Sequence, residues 1–246
     1  MAKPVKLTRA PITEALVDIR ADAPNAPEAF DQLRERLKSE FPTTEVRNAL
    51  TAELRIENGK LVAPNTKDLG PHGLQMSNAE GTLTVQFRRD GFTLNNLKTY
   101  LGGERLVAKA LELWTVFAGI TPLSAPSRLA IRYINKLELP LSKGVDFDTF
   151  LTSAPDLPPE IPDHYAEFLS RVVAHHGDDE KPYLIVTQHL TNEAGRPVVV
   201  IDLDGFLVGT FPSDKAALTP ILKQIVDIQR AAFFSLITEA TVKIYA

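Results

Sequence analysis

The chain has 246 residues, of which 44% are hydrophobic and 24% charged, and its formal net charge at pH 7 is −4. These values are typical of a folded chain with one large domain or two domains of about 120 residues, and they exclude a largely disordered or coiled-coil protein. The absence of cysteine excludes disulfide frameworks, thiolate zinc sites and cysteine nucleophiles.

The first 20 residues lack the apolar stretch of a signal peptide, and the longest apolar runs have the length of strands. We therefore expect a cytoplasmic protein that does not bind a membrane. The charge is unevenly distributed, with 20 basic and 16 acidic side chains in residues 1–144 but 7 and 15 in residues 145–246. The first part could present a basic face to an anionic partner, or pair with the acidic second part within the molecule.

Alternating apolar residues predict a strand over residues 14–20, and a helical pattern follows over 27–41. Asn58-Gly59, Glu80-Gly81 and Asp90-Gly91 are turn signals that predict antiparallel hairpins. The further elements predicted up to residue 139 are strands at 50–57, 73–78 and 82–89, a helix at 103–118 and a strand at 128–139.

Prolines are concentrated in residues 152–163, which predicts a connecting loop. We accordingly divide the chain into a first unit (1–144), a proline-rich connection (145–163) and a second unit (164–246), or alternatively treat it as one continuous domain. The second unit is predicted to contain a short helix at 164–173, strands at 183–190 and 197–207, and a long helix from about residue 214. This order predicts an α+β fold in which helices pack on one face of an antiparallel sheet, or of two similar sheet units.

Three stretches resemble a sporadically distributed family of uncharacterised bacterial proteins of about 250 residues. They are Ala10–Arg20, the run from Gly91 to Pro140, and Val200–Phe206 together with Phe233–Glu239, which ends in Ile-Thr-Glu. The most specific match is the Arg-x-x-x-Arg-Tyr-x-Asn motif, formed by Arg128, Arg132, Tyr133 and Asn135. The resemblance implies a single cytoplasmic unit and supplies no catalytic residue.

Arg128, Arg132 and Lys136 recur every four residues on the strand at 128–139, so they share one face. This cationic ridge could bind phosphates or an acidic peptide. Alternatively, Glu14, Asp18, Glu138 or the aspartates Asp202 and Asp204 neutralise it within the molecule.

Asp202 and Asp204 are spaced to place two carboxylates on one face of a strand, where they could bind a divalent metal. The alternative is a strand end whose carboxylates are solvated or paired with arginine. Nucleotide-binding and Gly-x-Ser-x-Gly motifs are absent, so we expect no cofactor.

The terminal helix carries Phe233 and Phe234 side by side, and a narrow helical stripe does not bury both. Phe234 and Ile237 begin a second apolar face, which favours either a self-association surface or a helix wedged between sheets.

These features favour a non-catalytic interaction protein of a bacterial accessory system. It would self-associate or bind a protein partner, with Arg128, Arg132 and Lys136 facing an anionic partner. A nucleic-acid-binding protein and a metal-dependent enzyme that uses Asp202 and Asp204 are the alternatives.

Overall fold

The computed structural model describes residues 1–57, 60–141, 147–153, 158, 160, 167–178, 180–193 and 195–246. For residues 52–57 and 60–66 it describes the backbone only. The predicted Asn58-Gly59 turn lies outside the described residues, as does much of the predicted connection at 145–163.

Nine strands and four helices alternate in an irregular order along the described chain. In sequence they are β1 (Ile12–Arg20), α1 (Ala26–Leu37), β2 (Thr43–Glu57), β3 (Lys60–Ser77), β4 (Leu83–Arg88), β5 (Gly91–Leu97), α2 (Gly103–Ile120), β6 (Arg128–Leu137), β7 (Phe168–Ala174), β8 (Tyr183–Glu193), β9 (Arg196–Val208), α3 (Lys215–Leu236) and α4 (Glu239–Tyr245). A short 3₁₀ turn at Phe147–Thr149 precedes β7.

All nine strands belong to one sheet, in the order β2-β3-β4-β5-β1-β6-β9-β8-β7, and the paired strands are antiparallel. The predicted α+β class is therefore confirmed. The centre of the sheet joins strands that are distant in sequence, since Val17 of β1 lies opposite Ile131 of β6. The division into two units at the connection stays a prediction.

The prediction of a helix at 164–173 is wrong where the structure describes it, because Phe168–Ala174 forms strand β7 along β8. The β-branched Val172 and Val173 suit this edge position. The strand β5 was not predicted, although the Asp90-Gly91 turn implies a partner for β4. The terminal helix is divided in two, since Ile237 and Thr238 adopt extended backbone conformations between α3 and α4.

The helices α1, α2 and α3 pack on one face of the sheet, which we call the helix face. Alternate residues of the central strands point to this face, including Val17 and Ile131, and form its core with Leu33, Trp114 and Leu222. Trp114 is fully buried and donates a hydrogen bond from Nε1 to the carbonyl of Ser213, at 2.9 Å. The only tryptophan is thus a core residue that ties α2 to the segment preceding α3.

Gln229 fixes α3 across the sheet. It is fully buried, and its Nε2 donates to the carbonyls of Ile131 on β6, at 2.6 Å, and Leu203 on β9, at 2.9 Å. Gly205 of β9 lies directly beneath it, and a Cβ at Gly205 would lie 2.9 Å from Ile225 Cγ2 and 3.1 Å from Gln229 Cγ. Only glycine lets α3 approach β9 this closely.

We expect Gly205→Ala to lower the free energy of unfolding by about 1–3 kcal/mol, because the added methyl group overpacks the contact between α3 and β9. Gly119→Ala is the matched control: Gly119 lies near the end of α2, and a methyl group added there would meet no neighbouring element within 4 Å. That control should leave stability unchanged or raise it by about 0.5–1 kcal/mol. Urea unfolding measures both variants, and equal effects would contradict the close approach.

Among the described residues, no helix combines the length and apolarity that crossing a bilayer requires.

Candidate ligand-binding site

The face of the sheet opposite the helices, which we call the open face, carries the predicted cationic ridge. Arg128, Arg132 and Lys136 all point to this face, as their alternation along β6 predicts. Each of the three lies beside an acidic side chain of a neighbouring strand or hairpin. The ridge is therefore one row of a wider pattern of opposite charges.

The ion pairs connect β6 mainly to β9. Arg132 donates from Nε to Asp202 Oδ1 at 2.8 Å, and its Nη2 binds the second oxygen of the same carboxylate. Arg128 Nη2 lies 3.2 Å from Asp204 Oδ2, and Lys136 Nζ lies 2.6 Å from Glu193 Oε1 at the end of β8. The hydrogen bond from Arg132 to Asp202 raises the pKa of Arg132 despite its partial burial.

A second group of charges continues the pattern across β1, β4 and β5. Asp18 is buried and accepts hydrogen bonds from Thr93 at 2.8 Å and from Arg88 at 3.1 Å. Arg20 contacts Asp18 at 3.1 Å and Asp90 at 2.5 Å. The charges of the open face are thus largely satisfied within the chain, so the ridge does not present free cations to a partner.

Asp202 and Asp204 share the open face as predicted, but guanidinium groups occupy both carboxylates. In the described part of the chain, no group of three or more His, Cys, Asp or Glu side chains is arranged to hold a metal ion. The metal hypothesis gains no support from this geometry, and we do not carry it forward.

Phe233 and Phe234 are both buried within the chain, and Ile237 is 1% exposed. They pack with Leu137, Ile201 and other residues of the helix face in a cluster that α4 and the amino-terminal Ala2 complete. The surface on which self-association was predicted is therefore covered intramolecularly, and self-association itself stays a prediction.

The ion pairs of the open face predict opposite pH effects for two aspartates. Partial burial acts to raise the pKa of Asp90, but the hydrogen bond and charge of Arg88, together with Arg20 and His72, lower it overall. Burial raises the pKa of Asp204, and the charge of Asp202 raises it further. Together these effects outweigh the lowering by Arg128 and Arg132.

Asp90 stabilises the fold above its unfolded pKa near 3.8 and loses this contribution as the pH falls through its lower folded pKa. Asp90→Asn should therefore lose more stability, relative to the parent, at pH 7 than at pH 3. Ionised Asp204 destabilises the fold, and this effect appears as the pH rises through its raised folded pKa. The free energy of unfolding of Asp204→Asn, relative to the parent, should therefore increase from pH 3 to pH 7. Urea unfolding at both pH values tests the pair, and parallel changes would refute the assignment.

A cavity of about 1130 Å³ lies on the helix face between α2, α3, the segment at residues 5–12 and the loop at 98–102. Its walls include the apolar side chains of Leu111, Leu203, Phe233 and Phe234. This volume lies just above the usual range of small-molecule sites, about 300–1,000 Å³, which combine apolar walls with a few polar groups.

Seven basic and two acidic side chains line this cavity, so its rim is strongly cationic. The acidic residues are Glu104 and Asp227; the basic residues are Lys6, Arg9, Lys98, Arg105, Lys215, Lys223 and Arg230. Within the described part of the chain, none of the seven forms an ion pair. In contrast to the open face, this rim therefore leaves its positive charge uncompensated.

The loop at 98–102 is held in an unusual conformation. Lys98 has a φ of 67°, in the left-handed region that residues other than glycine, asparagine and aspartate rarely adopt. Asn96, 2% exposed, fixes the loop because its Oδ1 accepts from the amide of Leu101 at 2.9 Å and its Nδ2 donates to the carbonyl of Thr99 at 2.9 Å. A rigid support thus positions Lys98 at the rim.

Two buried polar atoms on the cavity wall have no hydrogen-bond partner among the described residues. They are Tyr133 Oη and Gln229 Oε1, on side chains that are 6% and 0% exposed. Burial, reinforced by the neighbouring Tyr100 phenol, raises the pKa of Tyr133, so its hydroxyl keeps its proton at neutral pH. Three further atoms of this kind, on Asn95, Thr121 and Gln188, lie away from the cavity. At the cavity wall, the Tyr133 hydroxyl can donate to a ligand, whereas Gln229 Oε1 can only accept.

Comparison with protein-family models, with curated proteins and with solved structures finds no match for this chain. An assignment of the site therefore rests on its geometry alone.

In the sequence, Tyr133 stands out only as part of the Arg-x-x-x-Arg-Tyr-x-Asn motif, and the cavity that it lines with Gly102 and Gly103 was not predicted. One signal was available. Lys215, Lys223 and Arg230 are spaced by eight and seven residues, close to two helical turns, and so lie on one side of α3.

Proposed function

We propose that this chain is a binding protein for a small organic anion, which enters the cavity between α2 and α3. The observation that carries the proposal is the contrast between two sets of cations. Those of the open face are paired with carboxylates, whereas the seven at the cavity rim have no carboxylate partner in the described part of the chain. Uncompensated positive charge around a cavity attracts anions and raises their local concentration.

The apolar walls indicate that the anion has an apolar body. The apolar surface accessible to a ligand comes from partly exposed side chains, which include Leu7, Ile12, Tyr100 and Val226, whereas Leu111, Leu203, Phe233 and Phe234 are buried. Covering such a body would remove apolar surface from water at about 25 cal/mol per Å². An inorganic ion alone would leave most of the 1130 Å³ unfilled.

The open face supports an anionic partner less well. An acidic protein or a nucleic acid bound there would have to displace carboxylates that are already hydrogen-bonded to Arg128 and Arg132. Breaking a partly buried pair leaves a charge without its partner, which is costly. Membership of a bacterial accessory system remains a prediction that rests on the resemblance alone.

The fluorescent anion 1-anilinonaphthalene-8-sulfonate provides a test, because it combines a sulfonate with aromatic rings. We expect it to bind the native protein, and Lys223→Glu to weaken its binding about fivefold or more, since the change places a negative charge at the rim. Raising the ionic strength should weaken the binding further.

The control Lys67→Glu introduces the same charge on β3, away from the cavity, and should bind the probe like the parent. Circular dichroism and urea unfolding establish that each variant is folded, because partly folded states also bind this probe. If Arg132→Glu abolishes binding while Lys223→Glu does not, the anion site is on the open face and the proposal is wrong.

A further inference from the structure

We infer that the amino terminus of α2, together with the Tyr133 hydroxyl, forms a subsite for the phosphate group of an organic phosphate monoester. This inference rests on the proposed function, since it specifies which anionic group the cavity binds and where. It depends on three observations: the uncapped start of α2, a buried hydroxyl directed at that start, and nearby cations without partners among the described residues.

The start of α2 has no cap. Gly102, at the N-cap position, has no side chain to accept a hydrogen bond, and its φ of 95° is accessible mainly to glycine. Leu106 donates to the carbonyl of Gly102 at 3.0 Å, but the amides of Gly103, Glu104 and Arg105 find no acceptor in the described part of the chain. Three N–H groups and the positive end of an 18-residue helix therefore remain open to an anion.

The buried hydroxyl of Tyr133 lies at the first residue of this helix. A Cβ at Gly103 would lie 3.0 Å from Tyr133 Oη, 3.3 Å from Tyr100 Oη and 2.9 Å from Val226 Cγ1. Gly103 thus allows both phenols to approach the helix start. Tyr133 is only 6% exposed, and its hydroxyl makes no hydrogen bond of regular geometry among the described residues; a weak interaction with the Tyr100 hydroxyl contributes to its raised pKa, and a bound oxygen would accept the hydrogen bond in place of Tyr100.

The cations lie on both sides of this point. Val226 of α3 contacts Gly103, and Lys223 and Arg230 lie about one helical turn before and after Val226. Burial raises the pKa of Tyr100 overall, while the interaction with the Tyr133 hydroxyl and the charge of Arg230 act against this rise, which places the guanidinium near the same phenol. Arg105 and Lys98 line the cavity from α2 and from the preceding loop.

This set of donors matches a phosphate better than a carboxylate or a sulfate ester. Three amides, a phenol and several cations suit a group with three terminal oxygens and a charge of about −1.5 to −2 at neutral pH, which is the charge of a phosphate monoester. A carboxylate has only two oxygens and a sulfate ester carries a single charge, so each would leave donors or positive charge unmatched. The organic part would then extend along the apolar wall toward Phe233 and Phe234.

Isothermal titration calorimetry with phenyl phosphate and phenyl sulfate tests this inference. The parent should bind phenyl phosphate at least fivefold more tightly than phenyl sulfate, which has the same shape and a smaller charge. Tyr133→Phe should lower the affinity for phenyl phosphate about tenfold, because a charge-assisted hydrogen bond is lost, and should lower the affinity for phenyl sulfate less. Tyr133→Phe removes only a weak interaction with the Tyr100 hydroxyl, so the variant should fold.

Equal affinities for the two esters, or a Tyr133→Phe variant that binds phenyl phosphate like the parent, would overturn the phosphate subsite. If the sulfonate probe still binds and Lys223→Glu still weakens it, the proposed function stands without the subsite. If Lys223→Glu affects neither the probe nor phenyl phosphate, the proposed function and the subsite both fail.

Discussion

The two-residue alternation of β6 is the constraint on which both surfaces of this protein depend. Arg132 and Tyr133 are adjacent in sequence, yet the strand directs the first to the open face and the second to the helix face. Because β6 lies between β1 and β9, Arg132 meets the carboxylate of Asp202 while Tyr133 faces α2 and α3. A shift of one residue in register would exchange these roles and place charges in the core.

The two surfaces handle electrostatics in different ways. On the open face, strands from both halves of the sequence supply opposite charges that meet away from the directly opposed positions: Arg132 lies opposite Asp204 but binds Asp202, and Arg88 of β4 reaches Asp18 of β1 across β5. These pairs make the face polar and neutralise most of its charge within the chain. At the cavity rim, basic residues from the amino-terminal segment, α2 and α3 converge without carboxylate partners in the described part of the chain. Only the second arrangement leaves positive charge for a ligand.

Much of the fold can be predicted from the sequence, because local patterns and turns determine many of its elements. The alternation at residues 14–20 predicts β1, the Asp90-Gly91 turn marks the end of β4, and helical spacing predicts α1 and α2 within a few residues, whereas β5 after that turn was not predicted. The helix expected at 164–173 is a strand where the structure describes it, because pairing with β8 outweighs local pattern. Phe233 and Phe234 are both buried because Ala2 and α4 close over the end of α3, a contact between the two ends of the chain. The proposed anion site was not predicted for the same reason, since the elements that carry Tyr133, Gly103 and Lys223 come together only in the folded protein.

The most direct test of an anion site on the helix face is a ¹H–¹⁵N NMR titration of the native protein with phenyl phosphate. The account predicts that the largest amide shifts occur at Gly103, Glu104 and Arg105, whose N–H groups lack acceptors in the described structure, with smaller shifts along the adjacent side of α3. Amides of the open face, such as those flanking Arg128 and Arg132, should change little. Shifts concentrated on the open face, or the absence of any saturable shift at the start of α2, would contradict it.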